Sequence, residues 1–243
     1  MHMLSRLMNG LVDILYPKKC LACKEKINST TTNDFVCLQC WGNIKKNIPP
    51  FCHSCGRHLN TKVSTKSICN ICIKEPLFFD RAFCPCAYEG TIKKLIHEFK
   101  YKNKDYLGKV LSTLMIDFIK EYNLGIEYMD IIIPIPLHNA RLREREFNQA
   151  QVLGNFIAGA FNKDISTDTL VRTQPTKSQT ELKGLERFLN VAGSFSLSRR
   201  NPVNRKNILL IDDVLTTGAT ASEAARVLKN SGAGIVFVLT LAN

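Results

Sequence analysis

The sequence predicts an α/β fold: a parallel sheet flanked by helices, preceded by a small cysteine-rich module. Three observations carry that reading. Apolar runs such as 129–136 (MDIIIPIP) and 207–212 (NILLID) are continuous rather than alternating, as befits strands covered on both faces. Amphipathic stretches separate them, the order expected when helices make the crossovers. Eight of the ten cysteines, finally, fall in four C-x-x-C pairs within the first third of the chain.

Taken in order, residues 1–17 read as a helix, with Leu4, Leu7, Met8, Leu11, Val12 and Leu15 on one face. Asn9, Gly10 and Asp13 interrupt its apolar character, which makes it a poor secretory signal. No apolar run reaches the roughly 18 residues of a membrane span. A cytoplasmic protein is expected, where cysteines serve as free thiols or metal ligands more readily than as disulfides.

The module at 18–76 carries Cys20/Cys23, Cys37/Cys40, Cys52/Cys55 and Cys69/Cys72. Adding 32 to each number of the first two pairs gives the last two, so the cysteines form an internal repeat. A C-x-x-C turn puts two thiolates on one side of a knuckle, and two knuckles complete a tetrahedral zinc site. The repeat favours two sequential sites, Cys20-Cys23-Cys37-Cys40 and Cys52-Cys55-Cys69-Cys72, although interleaved pairing satisfies the same count. Four thiolates leave no open position, so both Zn²⁺ sites are expected to be structural.

The formal net charge is +12, with 11 Lys and Arg against 4 Asp and Glu in residues 1–76. Two tetrathiolate zinc sites, each with a net charge of −2, would lower the total to about +8. The chain stays basic, which tilts it toward polyanionic partners.

Residues 77–243 supply the α/β body. A strand-like run at 79–88 holds Cys84 and Cys86, whose C-x-C spacing puts both on one strand face as packed thiols. Helices are expected near 91–100, 106–121 and 147–162, strands at 129–136, 207–212 and 234–241, and a mixed segment up to 200. The run Lys93, Lys94, His97, Lys100, Tyr101, Lys102, Lys104 interleaves base with aromatic, as single-strand binders do. An exposed helix face with Phe99 turned inward explains it as well and is the preferred reading. Lys177 and Arg187 are left undecided.

The chemistry concentrates in 208–224, ILLIDDVLTTGATASEA. Ile208 to Ile211 form a strand, and Asp212 and Asp213 stand at its C-terminal end, where ligands bind in parallel sheets. Thr216, Thr217, Gly218, Ala219 and Thr220 then offer hydroxyls and amides at a helix N-terminus, a favourable place for phosphate. Thr220-Ala221-Ser222-Glu223 has the capping-box pattern and should open that helix near residue 220. Neither a Walker loop nor a dinucleotide fingerprint is present. Acids beside an anion cradle suit a sugar phosphate, whose hydroxyls donate to the carboxylates.

This acid-acid-Thr-Thr-Gly-Ala-Thr segment resembles the signature of type I phosphoribosyltransferases, which bind phosphoribosyl pyrophosphate (PRPP). With YEGTIKKLIHEFKY, PIPLHNARLREREFNQA and TKSQTELKGLERFLNVAGSF, the whole chain resembles the ComF (competence protein F) family. That resemblance implies a type I phosphoribosyltransferase fold behind a double zinc ribbon. Asp212 and Asp213 would hold the ribose 2′- and 3′-hydroxyls, residues 216–220 the 5′-phosphate, and the loop after the 129–135 strand would face the pyrophosphate, with Arg141, Arg143 and Arg145 nearby. Mg²⁺ would accompany PRPP, and Asp213 has a weak claim as a general base.

One departure stands out: the family usually has Gly where this chain has Glu146. An added acid there should weaken a pyrophosphate site unless a neighbouring Arg pairs with it. The implied role is handling single-stranded DNA in natural transformation, together with DNA-uptake proteins and with PRPP or a nucleotide 5′-phosphate as ligand. Phosphoribosyl transfer to a nitrogenous acceptor, and PRPP-responsive regulation, are the alternatives.

Overall fold

The computed structural model describes residues 18–27, 34–59, 67–75, 77–100, 104–175, 185–198 and 203–243. The helix expected over 1–17 lies outside them, as do Tyr101, Lys102 and Lys177. In chain order the described elements begin with α1 (Leu38–Gly42), α2 (Asn70–Lys74), β1 (Arg81–Phe83), α3 (Gly90–Phe99), α4 (Leu107–Tyr122) and β2 (Ile131–Pro134). Then follow α5 (Asn139–Arg145), α6 (Gln149–Phe161), β3 (Leu170–Arg172), α7 (Leu185–Val191), β4 (Phe195–Leu197), β5 (Ile208–Val214), α8 (Ala219–Asn230) and β6 (Val236–Ala242).

The central sheet has the order β1-β6-β5-β2 with every pairing parallel, and β3 and β4 form a separate antiparallel pair. Period-two alternation divides the strands between two cores. Ile208, Leu210, Val236 and Val238 face α8 and the β3–β4 pair. Leu209, Ile211, Leu239 and Leu241 face α3, α4 and α6. Both faces are therefore covered, which is why these strands read as unbroken apolar runs. In α4, Leu107, Leu111, Met115 and Phe118 recur at helical spacing and are buried, and Asn123 ends the helix in the left-handed conformation.

The eight repeat cysteines gather into two tetrads with the sequential pairing, all sulfurs of each lying within 4.8 Å of one another. This donor set and closeness fit tetrahedral zinc. In the first knuckle of each ribbon the residue after the second cysteine is left-handed, Lys24 at φ 68° and Gly56 at φ 69°. Only the second requires glycine for space, since a Cβ at Gly56 would stand 2.5 Å from the Ala82 carbonyl oxygen.

The repeat straddles the sheet. Cys20, Ala22, Val36 and Ile44 of the first ribbon join the core under α3 and α4. Cys52, Cys55 and Leu59 of the second join the core under α8. Residues 45–47 connect the two along the β1 edge: Asn47 N–H donates to the Pro85 carbonyl at 2.8 Å, and Ala87 N–H to Lys45 at 3.0 Å. The buried Asn47 amide also donates to the carbonyls of Cys84 and Cys86.

Two expectations need correction here. The strand-like run at 79–88 is paired as a strand only over 81–83, and Pro85, lacking an N–H, sits where the ladder breaks. Cys84 and Cys86 therefore fall in opposite cores rather than on one face. Both are fully buried, and burial pushes both thiols up to about 12, so they behave as packing groups. The stretch after β2, expected as a loop carrying three arginines, forms the helix α5.

Candidate functional site

β5 delivers the acid pair. Asp213 lies under α3, where its Oδ2 accepts from Lys100 Nζ at 2.8 Å. Lys100 is the C-cap of α3, and Phe99 before it is buried against Phe147, so the ammonium is aimed by a packed neighbour. A ligand hydroxyl reaching Asp213 must share or displace this ion pair. Asp212 turns toward Arg172 of β3, and its Oδ1 accepts the Asp213 N–H at 2.8 Å. Burial, then the Asp213 charge, push the Asp212 carboxyl up to about 7, against the pull of Lys100 and Arg172. Burial works in the opposite direction on Arg172, lowering the pKa of its guanidinium, while Asp212 supports the charge.

The loop after β5 bends at Gly218, at φ 82° and ψ 0°, and Leu77 and Phe79 pack behind that bend. Helix α8 starts at Ala219 with Gly218 as its N-cap, so the expected capping box does not form. Thr220 lies inside the first turn instead. Glu223 is drawn elsewhere, accepting the Gly193 N–H at 2.7 Å and pairing with Arg226. Ser222 Oγ accepts the Phe78 N–H at 3.0 Å, which fastens the linker to the helix start. Ala219 N–H donates to Thr217 Oγ1 at 3.4 Å, at the N-terminus of α8, where an anion is favoured.

A cleft of about 370 Å³ unites these parts. Asp212, Asp213, Thr216 and Thr220 line it together with Arg141 and Arg145 of α5, Arg172 of β3 and Arg187 of α7. Helical spacing explains which predicted arginines arrive: 141 and 145 share a face, whereas Arg143 points to solvent and lies outside the cleft lining.

Glu146 also lies outside that lining and is exposed. It caps α5 in the left-handed conformation, at φ 68°. Where the resemblance leads one to expect glycine, this chain thus sets a side chain on left-handed backbone, exposed and outside the cleft lining.

Four basic lining residues were not assigned to the site from the sequence. Lys100 and His97, taken for a solvated helix face, border the cleft, and Arg187 joins it too. The i, i+3 spacing of His97 and Lys100 at the end of an amphipathic helix was the available signal. Arg172 gave none, because only the β3–β4 pairing brings it to the cleft.

Two four-cysteine clusters joined to a parallel α/β body, with acids and a Gly218 loop at its strand ends, define a double zinc-ribbon protein with an α/β domain. Residues 11–73 match the family model described as "Double zinc ribbon domain". The chain is 26% identical over 227 residues to competence protein F of Haemophilus influenzae, covering 92% of this chain and 96% of that protein. It is 29% identical over 175 residues to DNA utilization protein YhgH of Shigella flexneri, covering 71% and 76%. Among solved structures it is similar to adenine phosphoribosyltransferase from Leishmania tarentolae, at 15% identity, TM-score 0.34 and coverage of 55% and 70%.

Proposed function

We propose that the cleft binds PRPP or a nucleotide 5′-phosphate, and that the protein uses this site while handling single-stranded DNA in natural transformation. The observation that carries the reading is the gathering, in one cleft, of an acid pair, the loop around Gly218 and four arginines. A ligand needs hydroxyls for the acids and anionic charge for both the loop and the arginines to satisfy all of it. Asp212 and Asp213 accept the ribose hydroxyls; residues 216–220 hold the 5′-phosphate with amides at the start of α8. Arg141, Arg145, Arg172 and Arg187 take the second anionic group, for which planar guanidinium forks are suited. Mg²⁺ carried in with the pyrophosphate would offset charge beside the acids, as it does when held mainly by substrate oxygens.

Zinc fills the structural role in both tetrads, and the chain divides into ribbons over 18–76 and the ligand-binding body from 77. The relatives' names, competence and DNA utilization, support the DNA side of the reading, as does the net charge of +12. The test is calorimetric titration of PRPP with Mg²⁺ into the zinc-loaded protein and into an Asp212→Ala/Asp213→Ala variant. Saturable binding that the double variant loses is the expected result. Absence of binding in the folded native protein overturns the PRPP assignment. A screen of nitrogenous acceptors for pyrophosphate release then separates binding from transfer.

A further inference from the structure

The second zinc knuckle reaches the ligand loop directly. Arg57, two residues beyond Cys55, donates from Nη2 to the Thr216 carbonyl at 3.3 Å. Its own backbone is held on several sides. The Arg57 carbonyl accepts the Cys52 N–H at 2.7 Å, Ser54 accepts the Ala82 N–H at 2.7 Å, and the Cys55 carbonyl accepts from the Asn243 amide at 3.0 Å. Gly56 rests on the Ala82 carbonyl, with no room for a side chain. The knuckle is thus fixed to the β1 edge and to the chain's last residue, and Arg57 extends from a fixed point.

The peptide bond between Thr216 and Thr217 is trans, so its C=O and N–H point in opposite directions. Holding the carbonyl toward the ribbon turns the Thr217 N–H away from it. A carbonyl rotated the other way would set a partial negative charge in the anion loop and remove one donor from it. Arg57 lies outside the cleft lining, so its contact with the site is the one it makes with the loop backbone.

We infer that Arg57 is a positioning residue: the second ribbon braces the loop at 216–220 in its anion-binding conformation, making that zinc module part of the ligand site. The inference deepens the PRPP reading and rests on it for the identity of the ligand. The brace itself can be read without ligand.

The experiment compares native protein, Arg57→Gln and Arg57→Lys, all zinc-loaded, by amide hydrogen exchange of the 215–221 segment and by Mg²⁺–PRPP titration. Arg57→Gln should exchange faster in that segment with exchange elsewhere and Tm unchanged, and should bind PRPP about tenfold more weakly, the scale of a lost charge-assisted bond. Arg57→Lys should recover most of both, because an ammonium also donates to the carbonyl. Native-like exchange in Arg57→Gln overturns the brace, as does a loss of protection spread over the whole chain. Failure of the native protein to bind PRPP counts against the ligand reading alone, since the exchange comparison still decides the brace.

Discussion

Replacing Asp212 by Asn should make the protein more stable while removing its ligand. The carboxyl is held near pH 7 by burial and by Asp213, against an ordinary value of 3.8. Because the folded value is raised, the folded state binds more protons than the unfolded one between pH 4 and 7. Stability is therefore full below about pH 4 and falls as the pH rises through 7. A shift of about three units corresponds to about 4 kcal/mol at 1.36 kcal/mol per unit.

Asp212 retains partial solvent contact at the cleft floor, and screening there reduces the effect to about 1–3 kcal/mol. Asn keeps an oxygen for the Asp213 N–H without the charge. Urea denaturation of native and Asp212→Asn protein, both zinc-loaded, at pH 5 and pH 8 measures the difference. The variant should gain about 1–3 kcal/mol at pH 8, or about 2–10 °C in Tm for a chain of this size, and much less at pH 5. Equal stability gaps at the two pH values, or a variant weaker at pH 8, would refute the account of Asp212 as a strained acid kept for function.

Further outcomes follow from the same geometry. Arg172→Ala should weaken Mg²⁺–PRPP binding by roughly 10–100-fold, the scale of a lost buried ionic contact, whereas exposed Arg143→Ala should leave it within twofold in the same titration. Glu146→Gly should relieve a left-handed backbone and raise unfolding free energy by about 0.5–1 kcal/mol in urea denaturation, without altering ligand affinity. Metal analysis should find two zinc ions per chain, falling to one in Cys20→Ser or Cys52→Ser, with marked loss of thermal stability in each. Single-stranded DNA affinity, measured by fluorescence anisotropy, should fall linearly on a log–log plot against salt, as expected where Lys and Arg contacts release counterions.

Much of this molecule is legible in the order of its residues. The 32-residue cysteine repeat implies two tetrads because zinc imposes a local, countable geometry. The unbroken apolar runs around residues 131 and 208 imply a two-sided parallel sheet because burial on both faces leaves no place for alternating polar residues. Asp212 and Asp213 before a Thr-Thr-Gly-Ala-Thr run mark the cleft end of β5, because those groups are neighbours in sequence.

What folding alone decided lies between elements distant in the chain. Arg172 enters the cleft through a three-residue strand pair with no periodic signal. Lys100 becomes the partner of an acid 113 positions away because Phe99 is buried. Arg143 is excluded although its neighbours at 141 and 145 are not, since a helix formed where a loop was expected. Arg57 reaches Thr216 because the second ribbon packs on one face of the sheet while the first packs on the other. Local pattern fixes which residues can form an element; only packing, through the burial of apolar faces, determines which elements meet and which charges they bring together.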